Sequence, residues 1–410
     1  MTLQKNPDLR KINRSKALRM IYFHGPISRL QISHATGLSP ATVTNVVSDL
    51  LEDGAVIESG STGSEGGRPS TLLDVNPHYG YFIGVDVGET KVRAELFDVC
   101  MQRLAQLDRA LNLDEIQPEQ VINHIAEGVE ELLTKADVRR DRVLGVGIGF
   151  PGLVNPESGV SVFAPNWGWH DVPVGKILQD RLRLPLLLDN GAKTMAMAES
   201  MFGAGKGAAN IAVLLIGTGV GAGIVDHGNL FRGISNSAGE WGHTTLELDG
   251  RLCRCGNHGC LEAYAGAPNI IDRYQEEPGS KRLADDLDQF AKLSTILERA
   301  RDGEPAAAKV LQKTGRYIGV GVANLINLFN PGLVVLGGWV GLLLGEYLLP
   351  TIQDVVRSTA LAQALQSSQI GLCELGHEAV TLGAATLVLE KFLETAGEAE
   401  KEKQTLSLVR

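Results

Sequence analysis

Apolar and polar residues alternate near the N-terminus with the spacing of three short helices. The first covers residues 12–23 and the second covers residues 29–36. The third, residues 41–54, follows Ser39 and Pro40, which are typical of a helix N-cap and a first helical position. Two helices joined by a glycine turn behind a supporting helix form a helix-turn-helix. The pattern therefore predicts a helix-turn-helix at the start of the chain.

Two apolar stretches, residues 55–60 and 71–75, follow the third helix and flank a run rich in glycine and serine. Two strands around such a flexible tip are typical of the wing of a DNA-binding domain. Arg68 lies in this tip, from which an arginine can reach a phosphate or the minor groove. We therefore predict an α+β winged helix-turn-helix domain over residues 1–75.

The charge distribution favours the same interpretation. The protein carries a net charge of −10, but residues 1–48 contain seven Lys and Arg against one acid, a net +6, and the rest carries −16. A basic segment on an acidic body is typical of a small DNA-binding module attached to another domain. The alternatives are a solvated basic arm and a three-helix module that binds another protein. On the DNA hypothesis the start of the third helix enters the major groove. The polar residues there are Ser39, Thr42, Thr44 and Asn45.

From residue 81 the pattern changes to apolar strands joined by turns of glycine and hydroxyl residues. One such unit surrounds DVGETK and a second, about 130 residues later, surrounds IGTGVG. Backbone amides in such turns can approach a phosphate, and Asp86 can hold a hydrated Mg²⁺. Each turn alone is better explained as a plain glycine turn. Together with a third glycine turn in VVLGGWV, however, the ordered set predicts two similar lobes that close around a nucleotide. The candidate phosphate-binding residues are Asp86, Gly88, Thr90, Lys91, Gly217, Thr218 and Gly219.

Three of the five cysteines lie within eight positions, and a histidine precedes them. His243, Cys253, Cys255 and Cys260 follow the pattern H-x9-C-x-C-x4-C. Four nitrogen and sulfur ligands suit tetrahedral Zn²⁺, and a full set of protein ligands predicts a structural site. His258 lies inside the same loop as a competing ligand. The alternative is three free thiols beside an unrelated histidine.

Composition limits the remaining classes. Hydrophobic residues make up 44% and charged residues 21% of the 410 residues, as in globular proteins, and the length suggests two to three domains. No apolar run approaches the ~20 residues of a membrane span, and the N-terminus lacks the apolar region of a secretory signal. We therefore expect a cytoplasmic protein without a membrane partner.

The ordered motifs DVGETK, GFPGLV, APNWGW, GTGVGAG, SAGEWGH, CRCGNHGCLE and NPGLVVLGG resemble the ROK family (repressors, open reading frames, kinases) over residues 80–385. The added helix-turn-helix resembles the repressor branch of that family. The resemblance implies a two-lobed α/β body of the actin/hexokinase type that binds a sugar between its lobes. We expect a first lobe at 80–190 with a C-terminal helix at about 385–396, a second lobe at 191–384, and a mobile tail at 397–410.

The resemblance also implies site residues. It favours His243 over His258 as the zinc ligand, and we expect Trp167, Trp169 or Trp241 to cover an apolar sugar face. In sugar-binding relatives the matching residues that hydrogen-bond the sugar hydroxyls are Asn166, Asn190, Glu240, His243 and Glu262.

In ROK kinases the general base is the Asp of an Asn-Asp pair, whereas here Asn190 is followed by Gly191. Asp189 would replace that base only if the backbone shifted. We therefore expect no enzyme activity. The interpretation is a sugar-responsive transcriptional regulator, a repressor of carbohydrate-metabolism genes, that binds a double-stranded DNA operator as a homodimer or homotetramer. The alternatives are a ROK-type ATP-dependent sugar kinase with an added DNA-binding domain, and an interaction protein whose helical head binds another protein.

Overall fold

The computed structural model describes residues 9–61, 69–111 and 116–397. Its N-terminal part, here called the head, is a winged helix-turn-helix, as predicted. Side chains cap both helices after the first: Ser28 accepts a hydrogen bond from the amide of Gln31, and Ser39 accepts one from the amide of Thr42. The elements of the head are α1 (Leu9–His24), β1 (Ile27–Ser28), α2 (Arg29–Thr36), α3 (Pro40–Glu52), β2 (Val56–Ser61) and β3 (Thr71–Val75).

The three strands of the head form an antiparallel sheet in the order β1-β3-β2. The inward residues of α3, Val43, Val46, Val47 and Leu50, are buried, as their helical spacing predicts. The tip of the wing, with Arg68, lies outside the described residues.

The body contains two five-stranded sheets with the same topology. In the first lobe the order is β6-β5-β4-β7-β11: β4, β5 and β6 are antiparallel neighbours, and β7 and β11 add in parallel on the other side of β4. The central strands are almost wholly apolar because helices cover both faces. The elements of this lobe are β4 (Tyr81–Val87), β5 (Lys91–Asp98), β6 (Arg103–Ala110), α4 (Pro118–Lys135), β7 (Val143–Phe150), β8 (Leu153–Asn155), β9 (Val160–Ala164), β10 (Trp169–Val172), α5 (Val174–Leu182) and β11 (Leu186–Asn190).

The second lobe repeats this plan in the order β14-β13-β12-β15-β16, with β15 and β16 parallel to β12. This duplication confirms the predicted two-lobed α/β body. The remaining elements are α6 (Gly191–Phe202), β12 (Asn210–Ile216), β13 (Val220–Asp226), β14 (Asn229–Leu230), α7 (Glu262–Ala265), α8 (Ala267–Glu276), α9 (Gln289–Arg301), α10 (Pro305–Phe329), β15 (Leu333–Gly337), α11 (Gly338–Thr359), α12 (Ala362–Leu365), β16 (Gln369–Leu372) and α13 (Ala379–Glu394).

The C-terminal helix α13 begins six residues before the predicted position and lies between α6 and strands β4 and β7. It approaches them closely, because a Cβ on Gly383 would collide with the carbonyl oxygen of Thr194, and one on Gly147 would collide with that of Ala384. No larger residue fits at these crossings.

The head and the first lobe share one hydrophobic core. Leu18 and Ile21 of α1 are buried in the same cluster as Leu389 and Phe392 of α13. Polar contacts reinforce the junction, since Ser15 Oγ donates to the carbonyl of Leu393 at 2.7 Å. The head is therefore packed against α13. No helix in the described part of the chain has the length and apolar character needed to cross a membrane.

Candidate functional site

A cleft of about 650 Å³ lies between the two lobes, which is a usual size for a small-molecule site. The β4–β5 turn and the β12–β13 turn open onto it from opposite sides, because each sits at the same position in the duplicated topology. The start of α6 and the start of α13 also line the cleft. All five residues that the family resemblance implies for sugar binding lie here: Asn166, Asn190, Glu240, His243 and Glu262.

Asn190 has a structural role at the base of the cleft. It ends β11 and caps α6, since its Oδ1 accepts from the amide of Ala192 at 2.9 Å. Its Nδ2 donates to the carbonyl of Gly152 at 2.8 Å. These hydrogen bonds fix the position of the Asn190 side chain before any ligand binds. They leave one hydrogen of its amide group for a ligand.

Two carboxylates face the cleft from the second lobe. Glu262, at the start of α7, is only 4% exposed and accepts a hydrogen bond from the amide of Val220 at 2.9 Å. Burial raises the pKa of Glu240, and the nearby His243 opposes that rise. Carboxylates held in this way can accept hydrogen bonds from adjacent hydroxyl groups of a polyol.

The residue that the family resemblance matches to the kinase base is Gly191. Gly191 lines the cleft as the first residue of α6 and has no side chain to accept a proton. Asp189 is 1% exposed and does not line the cleft. It accepts from Nδ2 of Asn236 at 3.1 Å and pairs with Arg232. These partners hold the Asp189 carboxylate away from the ligand space.

All seven candidate phosphate-binding residues line the cleft as well: Asp86, Gly88, Thr90, Lys91, Gly217, Thr218 and Gly219. Two of their amides are already used, however. The amide of Gly88 donates to the carbonyl of Lys91, and that of Gly217 to the carbonyl of Gly219, each at 2.9 Å. Burial raises the pKa of Asp86 to about 6 despite Arg93 and Lys91 nearby.

The expected aromatic cover was assigned to the wrong residues. Trp167 and Trp169 pack against Phe150 in the core of the first lobe. Trp241 is buried in the second lobe, where its Nε1 donates to the carbonyl of Gly321 at 3.0 Å. None of the three lines the cleft, because the flanking strands and helices direct each ring toward the hydrophobic core of its lobe.

Trp339 at the start of α11 and Phe290 in α9 line the cleft instead, with ring centroids 6.1 Å apart. Asp288 and Gln289 line it beside them, in a segment whose sequence had no functional signal. The only local sign was the helix start at Asp288, whose side chain accepts from the amide of Ala291 at 2.8 Å.

The histidine and the three cysteines converge as their spacing predicted. One ligand atom from each of His243, Cys253, Cys255 and Cys260 lies within 4.8 Å of all the others. The Sγ atoms of Cys255 and Cys260 are 3.8 Å apart, and Sγ of Cys253 is 3.7 Å from Nδ1 of His243. These match the ~3.8 Å edge of a tetrahedron with zinc–sulfur bonds of ~2.3 Å. His258 lies outside the group, with Nδ1 2.9 Å from the carbonyl of Gly250. The four residues can therefore hold a metal ion.

The predicted DNA-contacting residues of α3 lie together on the surface of the head. Ser39, Thr44 and Asn45 are exposed and Thr42 is half-buried. Thr44 Oγ1 donates to the carbonyl of Pro40 at 2.8 Å, so its hydroxyl hydrogen is used within α3.

The basic face of α1 is less available than the charge count suggested. Arg14 pairs with Asp53, Arg19 pairs with Glu390, and Arg10 pairs with Asp49 at 2.7 Å. Lys11 and Lys16 are exposed and form no ion pair with a described residue. Three of the five lysines and arginines of α1 therefore serve the junction with the body or the packing of the head.

Comparison with known proteins agrees with this architecture. The model of the ROK family matches residues 82–391. The xylose repressor of Caldicellulosiruptor bescii is 32% identical over 390 residues, covering 94% of this chain and 97% of that protein. A ROK family transcriptional regulator described as a homologue of the E. coli MLC protein matches with a TM-score of 0.81 and 28% identity, over 95% of this chain and 98% of that one.

A ROK family glucokinase from Streptomyces griseus, solved with glucose and AMPPNP, matches with a TM-score of 0.66 and 30% identity. It covers 75% of this chain and 99% of its own, so the kinase corresponds to the body without the head. The relatives named as a repressor and as a transcriptional regulator, in contrast, match nearly the whole chain. The chain belongs to the ROK family.

Proposed function

We propose that this protein is a sugar-responsive transcriptional repressor, in which a sugar binds the interlobe cleft and the head binds a DNA operator. The observation that carries the proposal is the position of α13. Val380, near its start, lines the cleft beside Gly191, and Glu390, near its end, pairs with Arg19 of the head. One helix thus connects the cleft to the head.

The sugar is held by polar groups of the second lobe and the base of the cleft. Glu240 and Glu262 accept hydrogen bonds from hydroxyls, and His243, Asn166 and Asn190 complete the set. Trp339 and Phe290 supply the apolar surface that a sugar ring prefers on one face. These groups suit a polyol-like ligand.

Catalysis is not part of this function. Gly191 cannot remove a proton from a sugar hydroxyl, and the loss of a general base typically lowers a rate by ~10²–10⁴-fold. The buried, paired Asp189 does not replace it. The kinase-like fold then serves ligand sensing alone.

The metal in the cysteine loop is Zn²⁺ in a structural role, since four protein ligands leave no coordination position open. Binding would fix the loop that carries Arg254 and precedes Glu262, and that loop has few apolar residues to order it. His243 belongs both to this group and to the lining of the cleft, so the metal also orients one side of the sugar site.

On DNA the protein acts as a homodimer or a larger homo-oligomer. Two heads bind the half-sites of a palindromic operator whose centres are one turn of the double helix, ~34–36 Å, or a multiple of it apart. Sugar binding changes lobe closure and thereby the separation of the two heads. A ligand shifts this equilibrium only by its difference in affinity for the two states.

The test is fluorescence anisotropy of the purified protein on DNA from its own upstream region, at one fixed salt concentration. A panel of sugars is added, beginning with xylose because of the relative from C. bescii, and including N-acetylated and phosphorylated sugars. We expect specific binding that one sugar weakens.

Specific binding that no sugar changes would contradict the sensing role. Absence of specific binding, together with sugar-dependent ATP turnover, would instead support the kinase alternative. Binding of the head to another protein, with no salt-dependent affinity for DNA, would support the interaction alternative.

A further inference from the structure

Arg254 lies beside the cleft and bridges the two glycine turns that line it. Its Nη1 donates to both carboxylate oxygens of Glu89, at 3.0 and 3.2 Å, and its Nη2 donates to the carbonyl of Thr218 at 3.1 Å. Glu89 belongs to the β4–β5 turn of the first lobe, and Thr218 to the β12–β13 turn of the second. The guanidinium therefore connects the two turns that were predicted from the sequence to bind phosphate.

We propose that the Glu89–Arg254 ion pair replaces the phosphates of a nucleotide and makes this cleft selective against nucleotides. The guanidinium lies directly over the second turn, because a Cβ on Gly219 would be 3.4 Å from Nη2 of Arg254. A polyphosphate in this space would have to displace the ion pair and would meet the carboxylate of Glu89.

The backbone amides near the ion pair are also occupied. Those of Gly88 and Gly217 donate within their own turns, and that of Val220 donates to Glu262. Phosphate loops bind through free amides that point at the anion. These three amides are therefore unavailable to a phosphate.

Apart from Lys91, a cation that also lines the cleft, the remaining charges work in the same direction. Arg254 also lies 3.5 Å from Glu262, so one cation faces two carboxylates. Arg93, another cation of the cleft, is engaged by Asp108 at 2.7 Å. Asp86 adds further negative charge at neutral pH. An uncharged ligand meets no such repulsion, whereas a triphosphate does.

The experiment is calorimetric titration of the full-length protein with Mg²⁺-AMPPNP. We compare the wild type with Glu89→Gly, which removes the carboxylate and releases Arg254, and with Glu89→Asp, which keeps the charge. We expect no binding to the wild type or Glu89→Asp below about 1 mM, and a gain of about tenfold or more in affinity for Glu89→Gly. Thermal melting of each variant checks that it is folded.

Sub-millimolar binding to the wild type would overturn the proposal. The proposal would also be overturned if Glu89→Gly and a second variant, Glu89→Gln, were both folded and neither gained affinity for Mg²⁺-AMPPNP. The result is independent of the regulator proposal, because operator binding and its response to sugar are measured without nucleotide.

Discussion

Arg19 of the head and Glu390 of α13 form a two-pronged ion pair, with Nη2 to Oε2 at 2.6 Å and Nη1 to Oε1 at 3.3 Å. The two residues are 371 positions apart in the sequence. Arg14 reinforces the same junction, since its Nε donates to the carbonyl of Ala396 at 2.7 Å. These polar contacts between the head and the body thus cluster at the C-terminal end of α13.

Arg19→Ala should weaken the response to sugar more than it weakens DNA binding, because it loosens the head from α13. We expect the ratio of operator affinities without and with sugar to fall by about fivefold, near the lower limit of usual coupling energies. Anisotropy titrations measure this ratio. The control is Arg282→Ala, which removes an exposed ion pair with Asp285 in the second lobe. An unchanged ratio in Arg19→Ala would mean that the signal takes another route.

Cys255→Ser should remove the metal and destabilise the second lobe. We expect less than one zinc per chain by atomic emission and a thermal midpoint lowered by more than about 5 °C, since the loop loses its cross-link. His258→Ala is the matched control, because His258 is in the loop but outside the ligand group. Zinc affinity should fall on acidification, as binding requires deprotonated thiols. Equal zinc content in Cys255→Ser and His258→Ala would refute the ligand assignment.

Asp86 should make the protein less stable as the pH rises. Its pKa is about 6 in the fold against 3.8 ordinarily, so its contribution is complete below pH 3.8 and is lost as the pH rises through about 6. Asp86→Asn should therefore gain thermal stability relative to the wild type between pH 4 and pH 7. Asp108→Asn should show the opposite trend, because Arg93 lowers the pKa of Asp108. Parallel melting curves for Asp86→Asn and the wild type at every pH would contradict the assignment.

Thr44→Ala and Arg68→Ala should affect DNA binding in different ways. Thr44 is exposed near the start of α3, so its loss should relax the preference at one base pair, where a mismatch ordinarily costs about 1–3 kcal/mol. Arg68→Ala should weaken binding to all sequences and reduce the salt dependence by about one ion. Competition with single-base operator variants at several salt concentrations separates the two effects. If both variants bind the operator normally, the orientation of the head on DNA is wrong.

Gly191→Asp should fold without strain. A Cβ there meets only Val380, at 3.7 Å, and an acid in the first turn of a helix is favourable by about 0.3–1 kcal/mol. We expect Gly191→Asp alone to transfer phosphate no faster than the assay background, because a general base cannot act when no nucleotide is bound. Transfer above the background should appear only in the double variant that also carries Glu89→Gly. An ADP-release assay with the sugar panel measures both, with Gly191→Asn as control. Ordinary turnover in Gly191→Asp alone would contradict the nucleotide exclusion.

Sequence predicted best what short-range chemistry determines. The caps at Ser28 and Ser39 bounded the helices of the head, and ligand spacing located the cysteine group, because in each case the partners are near in sequence. The lining by Phe290 and Trp339 was missed, since these residues come from remote segments that only the tertiary fold brings together. The ion pair of Arg19 was not predicted for the same reason, and the charge of Arg19 was instead included in the positive charge expected to bind DNA.

The tight glycine crossings hold α13 against β7 of the first lobe and against α6, so the helix cannot slide along either of them. The helix has 16 residues and is roughly 24 Å long. It then moves as a rigid rod that turns about its end near the cleft and displaces the head at its other end. A rotation of about 15°, the size known from haemoglobin subunits, would move the far end by about 6 Å. That is nearly two base-pair steps of about 3.4 Å. A small hinge motion around a sugar is therefore enough to take two heads out of register with their half-sites.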